Sequence, residues 1–338
     1  MKVIDLTKNT KDLESKILPA VYAIKKGDLV IIPTETVYGL AADCFSVSAV
    51  NKIFLVKKRP YRDPLIVHIS KKSQLSLLVD KIDHRVKKLI DLFWPGPLTL
   101  VLKKKKIVPD IVTSCLDTVA VRMPEEKITR KFIDLCNVPL AAPSANIFSR
   151  VSATDLPHIL SDFKDNSDIK YVIYKGRPKY GIESTILDCT DYPFKVLRFG
   201  ALEIEEIIKK TNFKIIESKN FKLKKAPGMY KKHYAPLKKT FMVKDLLKYV
   251  EKNKNDCSGD IIVCKNKTAE IIKKINKNII TIPYGNTLEE ISKNLYFCLR
   301  LADSIEGKKI LIETVENRSL GKAIMDRIKK ASAGKEII

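Results

Sequence analysis

Apolar residues recur at helical spacing over 13–26 (Leu13, Ile17, Val21, Ile24) and stop at Gly27, which predicts a helix closed by a glycine. The short apolar run 29–32 reads as a buried strand. It runs into a loop over 33–40 that opens toward a helix at about 48–56. Similar runs predict strands at 64–69, 98–102, 119–123, 140–142, 171–174, 184–189 and 196–198. A helix over 84–93 ends in the turn Trp94-Pro95-Gly96-Pro97. This is a strand-rich α/β region. From 211 to 239 the pattern weakens and Lys, Pro and polar residues dominate, as in a linker. From Phe241 the alternation resumes, with strands at 260–264, 279–282 and 310–313 and helices at 243–252, 288–302 and 321–330. That rhythm predicts a small parallel-sheet domain. The expected organisation is therefore a domain over 1–210, a linker over 211–239 and a Rossmann-like parallel α/β domain over 240–338; the second domain has no GxGxxG, so dinucleotide binding is unsupported.

Composition agrees with two globular domains: 338 residues, 45% hydrophobic and 30% charged. The net charge of +24 favours anionic partners such as a nucleotide or tRNA. Part of it reflects composition, because Lys outnumbers Arg 52 to 11 and Ile and Asn are also abundant, as an AT-rich genome produces. Residues 201–338 hold 30 basic and 17 acidic residues and are the more densely basic part. Seven cysteines with no CxxC pair suggest reduced thiols and a cytoplasmic protein. Four histidines show no zinc spacing, the polar N-terminus is unlike a signal peptide, and no apolar run is long enough to predict a membrane span.

Walker A, the kinase motifs and GxSxG are all missing from the sequence. What remains is a set of polar residues at strand ends. Lys57 and Arg59 follow a helix and could hold phosphates, although a solvated basic turn is the plainer reading. Arg122 interrupts an apolar strand, so it must face either a structural partner or a ligand. Ala142-Pro143-Ser144-Ala145-Asn146, with Arg150 nearby, is either an ordinary turn or a loop that lets backbone approach a ligand. Ser184 opens a strand after Gly181-Ile182-Glu183, and Arg198 closes one before Phe199-Gly200.

In order and spacing these segments resemble the YrdC-like family of threonylcarbamoyl-AMP synthases. The matching stretches are PTETVYGL (33–40), KKRP with DPLIVHI (57–69), WPGPLTLVL (94–102), LDTVAVRMP (116–124), APSAN (142–146) and GIESTILD (181–188). APGMYKKHYAP (226–236) and GKAIMDRIKKAS (321–332) resemble the linker and C-terminal domain of the family's long form. The resemblance implies a twisted mixed sheet around a concave basic cavity. It also implies a reaction in which L-threonine, bicarbonate or CO2 and ATP give L-threonylcarbamoyl-AMP and pyrophosphate. Magnesium would be bound through the phosphates and substrate rather than by protein side chains. A downstream transferase would pass the group to tRNA, and the basic charge is compatible with direct tRNA contact. By resemblance Thr34, His68, Arg122 and Ser184 contact threonine, with Arg122 on its carboxylate, and His68 is one candidate general base. Lys57, Arg59, Thr118, Ser144, Asn146, Arg150, Arg198 and Tyr234 line the ATP site; no residue is assigned as a covalent catalyst, and Lys57, Arg59 and Arg122 position substrate.

Three stretches depart from the family pattern: IFSRVS after APSAN, LRFG in place of LRPG, and MYKKHY in the linker. Two other readings stand beside the resemblance. One is an RNA-binding module, for which no RRM or KH signature is present. The other is a carbamoyl-adenylate-forming maturation domain of the same fold, whose usual Cys clusters this sequence lacks.

Overall fold

The computed structural model describes residues 1–8, 10–217, 234–253, 257 and 259–337. Among them eleven strands form one mixed sheet, in the order Lys2–Asp5, Ile169–Tyr174, Leu29–Ile32, Gly39–Asp43, Leu140–Ala141, Ile66–His68, Thr118–Arg122, Leu98–Lys103, Thr185–Asp188, Phe194–Arg198 and Ile215–Glu217. The predicted strands are present with ends shifted by a few residues. Gly39–Asp43 is an addition: the segment read as a loop turns back after Tyr38 and pairs antiparallel with Leu29–Ile32, Ile32 facing Gly39. The edge strand Lys2–Asp5 is mostly exposed and so carries no burial pattern to read. Five short helices, Leu75–Leu78, Asp110–Thr113, Lys127–Cys136, Leu156–Phe163 and Ile204–Thr211, also add to the expected elements. The strand Ile215–Glu217 falls in the stretch read as linker and pairs parallel with Phe194–Arg198.

The helix Leu13–Lys25 buries Ile17, Ala20, Val21 and Ile24 on one face, and the chain leaves it at Gly27 with φ of 78°. Its apolar face and that of Lys127–Cys136 pack on one side of the sheet. A larger apolar cluster built around Leu65, Val67, Leu89, Leu100, Val121 and Leu187 fills the rest of this part of the molecule.

A second sheet is wholly parallel, in the order Ile280–Pro283, Ile261–Cys264, Ile310–Glu313, Thr240–Val243 and Glu336–Ile337. The inner strand Ile261–Cys264 is buried throughout and the central strand Ile310–Glu313 at all but its last residue, as expected when helices cover both faces. The helix Leu288–Ser304 starts with a capping box between Thr287 and Glu290 and lies against the first sheet region. There the Ser292 hydroxyl donates to the Tyr180 carbonyl (3.0 Å), and Arg300 donates to the Val151 carbonyl (2.5 Å) and to both oxygens of Asp162 (2.6 and 3.1 Å). No helix among the described residues is long and apolar enough to cross a membrane.

Candidate active site

Neighbouring strands of the large sheet end on a common rim, and this puts distant residues side by side. His68 is in parallel register with Arg122, Arg122 is opposite Thr99, and Leu98 is opposite Thr185. Ser184, one residue before its strand, therefore meets Thr99, with hydroxyls 2.8 Å apart. Arg198 ends the next strand and turns back on Ser184, donating from Nε to its carbonyl (3.0 Å) and from Nη2 to its hydroxyl (3.1 Å). The loop after Leu29–Ile32 closes over this rim.

That loop is held by a directed chain of hydrogen bonds. Arg122 Nη1 donates to Thr36 Oγ1 (2.8 Å), Thr36 Oγ1 lies 2.8 Å from Thr34 Oγ1, and Thr34 Oγ1 donates to the Val37 carbonyl (2.6 Å). Since Thr34 spends its single proton on Val37, Thr36 is the donor of that pair. Arg122 also pairs with Glu35 through Nη2 (2.5 Å) and donates from Nε to the Gly96 carbonyl (3.3 Å). The expectation for Arg122 left a structural pair and a ligand contact open, and the geometry accommodates both. Three of its five N–H groups are used within the protein, and two remain for a ligand.

The cavity enclosed here is lined by eight of the twelve residues expected from sequence: Thr34, Arg59, His68, Arg122, Ser144, Ser184, Arg198 and Tyr234. Burial first, then the neighbouring Arg122 charge, lowers the pKa of His68 to about 3. In this structure His68 is thus neutral near pH 7 and a weak proton acceptor, which counts against it as general base. The other four residues lie outside the lining. Lys57 ends the helix Val47–Lys57, and Lys58 turns the chain with φ of 52°. The Lys57 ammonium donates to the Ser144 and Asn146 carbonyls (both 2.5 Å), so it shapes the APSAN loop from behind. Its pKa is lowered, chiefly by burial and then by Arg59. Asn146 ties the same loop through Nδ2 to the Ile147 and Arg150 carbonyls (2.7 and 3.0 Å). Thr118 starts its strand opposite Lys103, and Arg150 sits at a surface groove with its side chain 40% exposed, 3.4 Å from Asp162. Lys231, Lys232 and His233 lie outside the described residues.

The structure adds residues that the sequence reading did not single out. Glu183 lines the cavity and is buried; its Oε1 accepts from Ser152 (2.8 Å) and its Oε2 from Tyr296 (2.9 Å) and Arg327 (3.1 Å). Burial raises its pKa, but Arg327, Arg198 and hydrogen bonds outweigh that and leave it below the usual carboxylate range. Glu35 and Thr36 stood inside a quoted motif, and only the fold shows that they hold Arg122. Tyr234 is buried at φ of 55°, stacks on Tyr296 (centroids 5.5 Å apart) and lines the cavity, while Ala235 N–H donates to the Ser149 carbonyl (2.9 Å). With Tyr234 in place the cavity encloses about 40 Å³.

The family model described as telomere recombination, for the Sua5, YciO and YrdC proteins, matches residues 22–200. A second, described as the C-terminal domain of threonylcarbamoyl-AMP synthase, matches residues 200–333. The threonylcarbamoyl-AMP synthase of Pyrococcus abyssi is 40% identical over 324 residues, which is 94% of each chain. This chain belongs to the threonylcarbamoyl-AMP synthase family. The threonylcarbamoyl-AMP synthase of Bacillus subtilis is 32% identical and covers 99% of this chain and 98% of its own. The crystal structure of P. abyssi Sua5 complexed with L-threonine matches with a TM-score of 0.91 and 37% identity, over 100% of this chain and 99% of that one. The cavity thus lies in the two-domain form of a threonylcarbamoyl-AMP synthase.

Proposed function

We propose that this chain makes L-threonylcarbamoyl-AMP from L-threonine, bicarbonate or CO2 and ATP, with release of pyrophosphate. The observation that carries the reading is Arg122: a buried guanidinium, fixed on three sides, with two donors to spare in the lining of a cavity in a fold shared with a threonine-bound relative. The threonine carboxylate suits those donors, because a planar fork matches a carboxylate. Thr34, His68 and Ser184 surround the same end and suit the rest of the amino acid, while Arg59, Ser144 and Arg198 suit the nucleotide. The threonine amine, once deprotonated, captures CO2 as a carbamate. A carbamate oxygen attacks the α-phosphorus, and pyrophosphate leaves. That sequence calls for positioning and charge stabilisation rather than a protein nucleophile.

Magnesium enters as part of the ATP substrate. Glu183, the one carboxylate in the cavity lining, is committed to Ser152, Tyr296 and Arg327. Among the described residues no group of His, Cys, Asp or Glu is arranged to hold a metal. A space of about 40 Å³ admits a few waters and no nucleotide, so the lining must open for ATP to enter; Tyr234, at the end of the stretch read as linker, is the residue we assign to that movement and to the return that excludes water from the labile product. Tyr234→Ala should then raise the KM for ATP. The product would pass, in the cytoplasm, to a separate transferase acting on a tRNA adenosine beside the anticodon; the charge of +24 would assist any direct contact with that RNA. The test is product identity: with ATP, magnesium, L-threonine and 13C-bicarbonate, the nucleotide product should carry both threonine and the label. ADP as the sole nucleotide product, or AMP and pyrophosphate formed equally without threonine, would reject the reading.

A further inference from the structure

Two buried side chains of the second sheet region reach Glu183 at the cavity, Tyr296 and Arg327, the latter on the helix Leu320–Ala331. Arg327 Nε and Nη2 donate to Glu183 Oε2 (3.1 Å each), and its Nη1 donates to the Phe199 carbonyl (2.5 Å), to Asp326 Oδ2 (3.1 Å) and to the Ala323 carbonyl (3.4 Å). Glu183 and Phe199 are the immediate neighbours of Ser184 and Arg198. One guanidinium therefore clasps the two backbone segments that present those side chains to the cavity. The segments run in direct backbone contact: Ala201 N–H donates to the Glu183 carbonyl (2.9 Å), and a Cβ at Gly200 would lie 2.3 Å from the Ser184 carbonyl carbon. The Arg327 guanidinium also lies 5.5 Å from the centre of the Tyr234 ring.

A second buried pair, Arg300 with Asp162, also spans the interface, and its hydrogen bonds among the described residues go to His158, Val151, Ile147 and Arg150 rather than to members of the cavity lining. The pairs differ in what they hold. Arg300 fastens the second sheet region to the first; Arg327 fastens it to the segments that carry the site. We propose that Arg327 is a positioning residue for adenylate formation, through which the C-terminal part of the chain fixes Ser184 and Arg198. This rests on the proposed reaction, and the second domain is then a working part of the site as well as the anchor of the linker.

The test uses the full chain in three forms beside the wild type, each read by thermal midpoint and by threonine-dependent pyrophosphate release. Arg327→Met should lower kcat/KM for threonine by about tenfold or more, since small misplacements of substrate-binding groups are costly. It also leaves Glu183 buried without its counter-charge and should lower the midpoint. Glu183→Gln/Arg327→Met removes that stranded charge, so it should regain most of the midpoint while keeping the defect of about tenfold, because the Phe199 carbonyl is still unclasped. Arg300→Met should lower the midpoint and change kcat/KM less than about threefold. The proposal is overturned if the double variant recovers activity along with stability, or if Arg300→Met loses as much activity as the Arg327 variants. Should Arg327→Met not fold, the double variant decides. A wild-type chain that releases no threonine-dependent pyrophosphate would reject the proposed reaction instead.

Discussion

Two buried arginine–carboxylate pairs flank the cavity and are built in different ways. Arg122 with Glu35 joins a strand end to the loop 33–38, both within the large-sheet region. Arg327 with Glu183 joins residues 144 positions apart and brings together the two sheet regions. The first pair is completed when the large sheet folds. The second exists only once the C-terminal part has docked. The two also divide their N–H groups differently: Arg122 keeps two donors for a ligand, whereas Arg327 spends its fork on Glu183 and backbone. In the proposed reaction the first pair would recognise substrate and the second would set the frame in which recognition occurs.

The largest effect expected from this contrast is at Arg122. If Arg122 holds the threonine carboxylate as proposed, Arg122→Ala should cost about 2–5 kcal/mol in threonine binding. It also strands Glu35, so Arg122→Ala/Glu35→Gln should regain stability but not threonine affinity. Calorimetric titration with threonine checks this, and an unchanged Kd in a folded variant would break the assignment.

Docking itself is tested at Gly181. Its φ is 72°, and a Cβ there would lie 2.5 Å from the Lys293 carbonyl oxygen in the opposing helix. Gly181→Ala should cost about 1–3 kcal/mol through overpacking and strained backbone. It should also expose the interface to limited proteolysis. A thermal midpoint equal to that of the wild type would show that the contact relaxes freely.

The pH dependence sharpens the first side of the comparison. His68 titrates at about 3 in the fold, against 6.5 in its ordinary state, so between those values the unfolded chain binds a proton that the native chain refuses. Its contribution to stability is therefore intact above pH 6.5 and falls by up to about 1.4 kcal/mol per pH unit as acid is added. Urea midpoints of the wild type and His68→Gln should converge as the pH drops from 7 to 4; parallel curves would contradict the burial argument. The smallest change is expected at Arg150, whose side chain is 40% exposed and 3.4 Å from Asp162. Arg150→Ala should alter stability by less than about 1 kcal/mol, and a larger loss of midpoint would mean that it clamps the interface as Arg300 does.

Much of this was legible in the sequence. The strands carrying Arg122, Ser184 and Arg198 follow from apolar runs, and the quoted motifs supplied eight residues of the lining. Arginine carries a further signal that points to Arg327 as well. Among the described residues Lys57 is the only buried lysine of a Lys-rich chain, whereas Arg59, Arg122, Arg198 and Arg327 are buried out of eleven arginines. Where composition favours Lys, an Arg marks a place that needs a planar fork. The strand Gly39–Asp43 was hidden because its small residues follow a tight loop without alternation. The role of Glu183 was hidden because its partner lies in another domain, and no local pattern encodes a contact over that separation. Lys57 has the residue type expected of a phosphate ligand, but helix geometry turns it onto the back of the loop.

The most direct test follows pyrophosphate release at saturating ATP and bicarbonate while threonine is titrated, with the wild type beside Arg122→Ala and Glu183→Gln/Arg327→Met. The account predicts no release by the wild type without threonine, saturable release with it, and a lower kcat/KM for threonine in both variants. Threonine-independent release by the wild type, or a folded Glu183→Gln/Arg327→Met chain that matches the wild type across the titration, would contradict it.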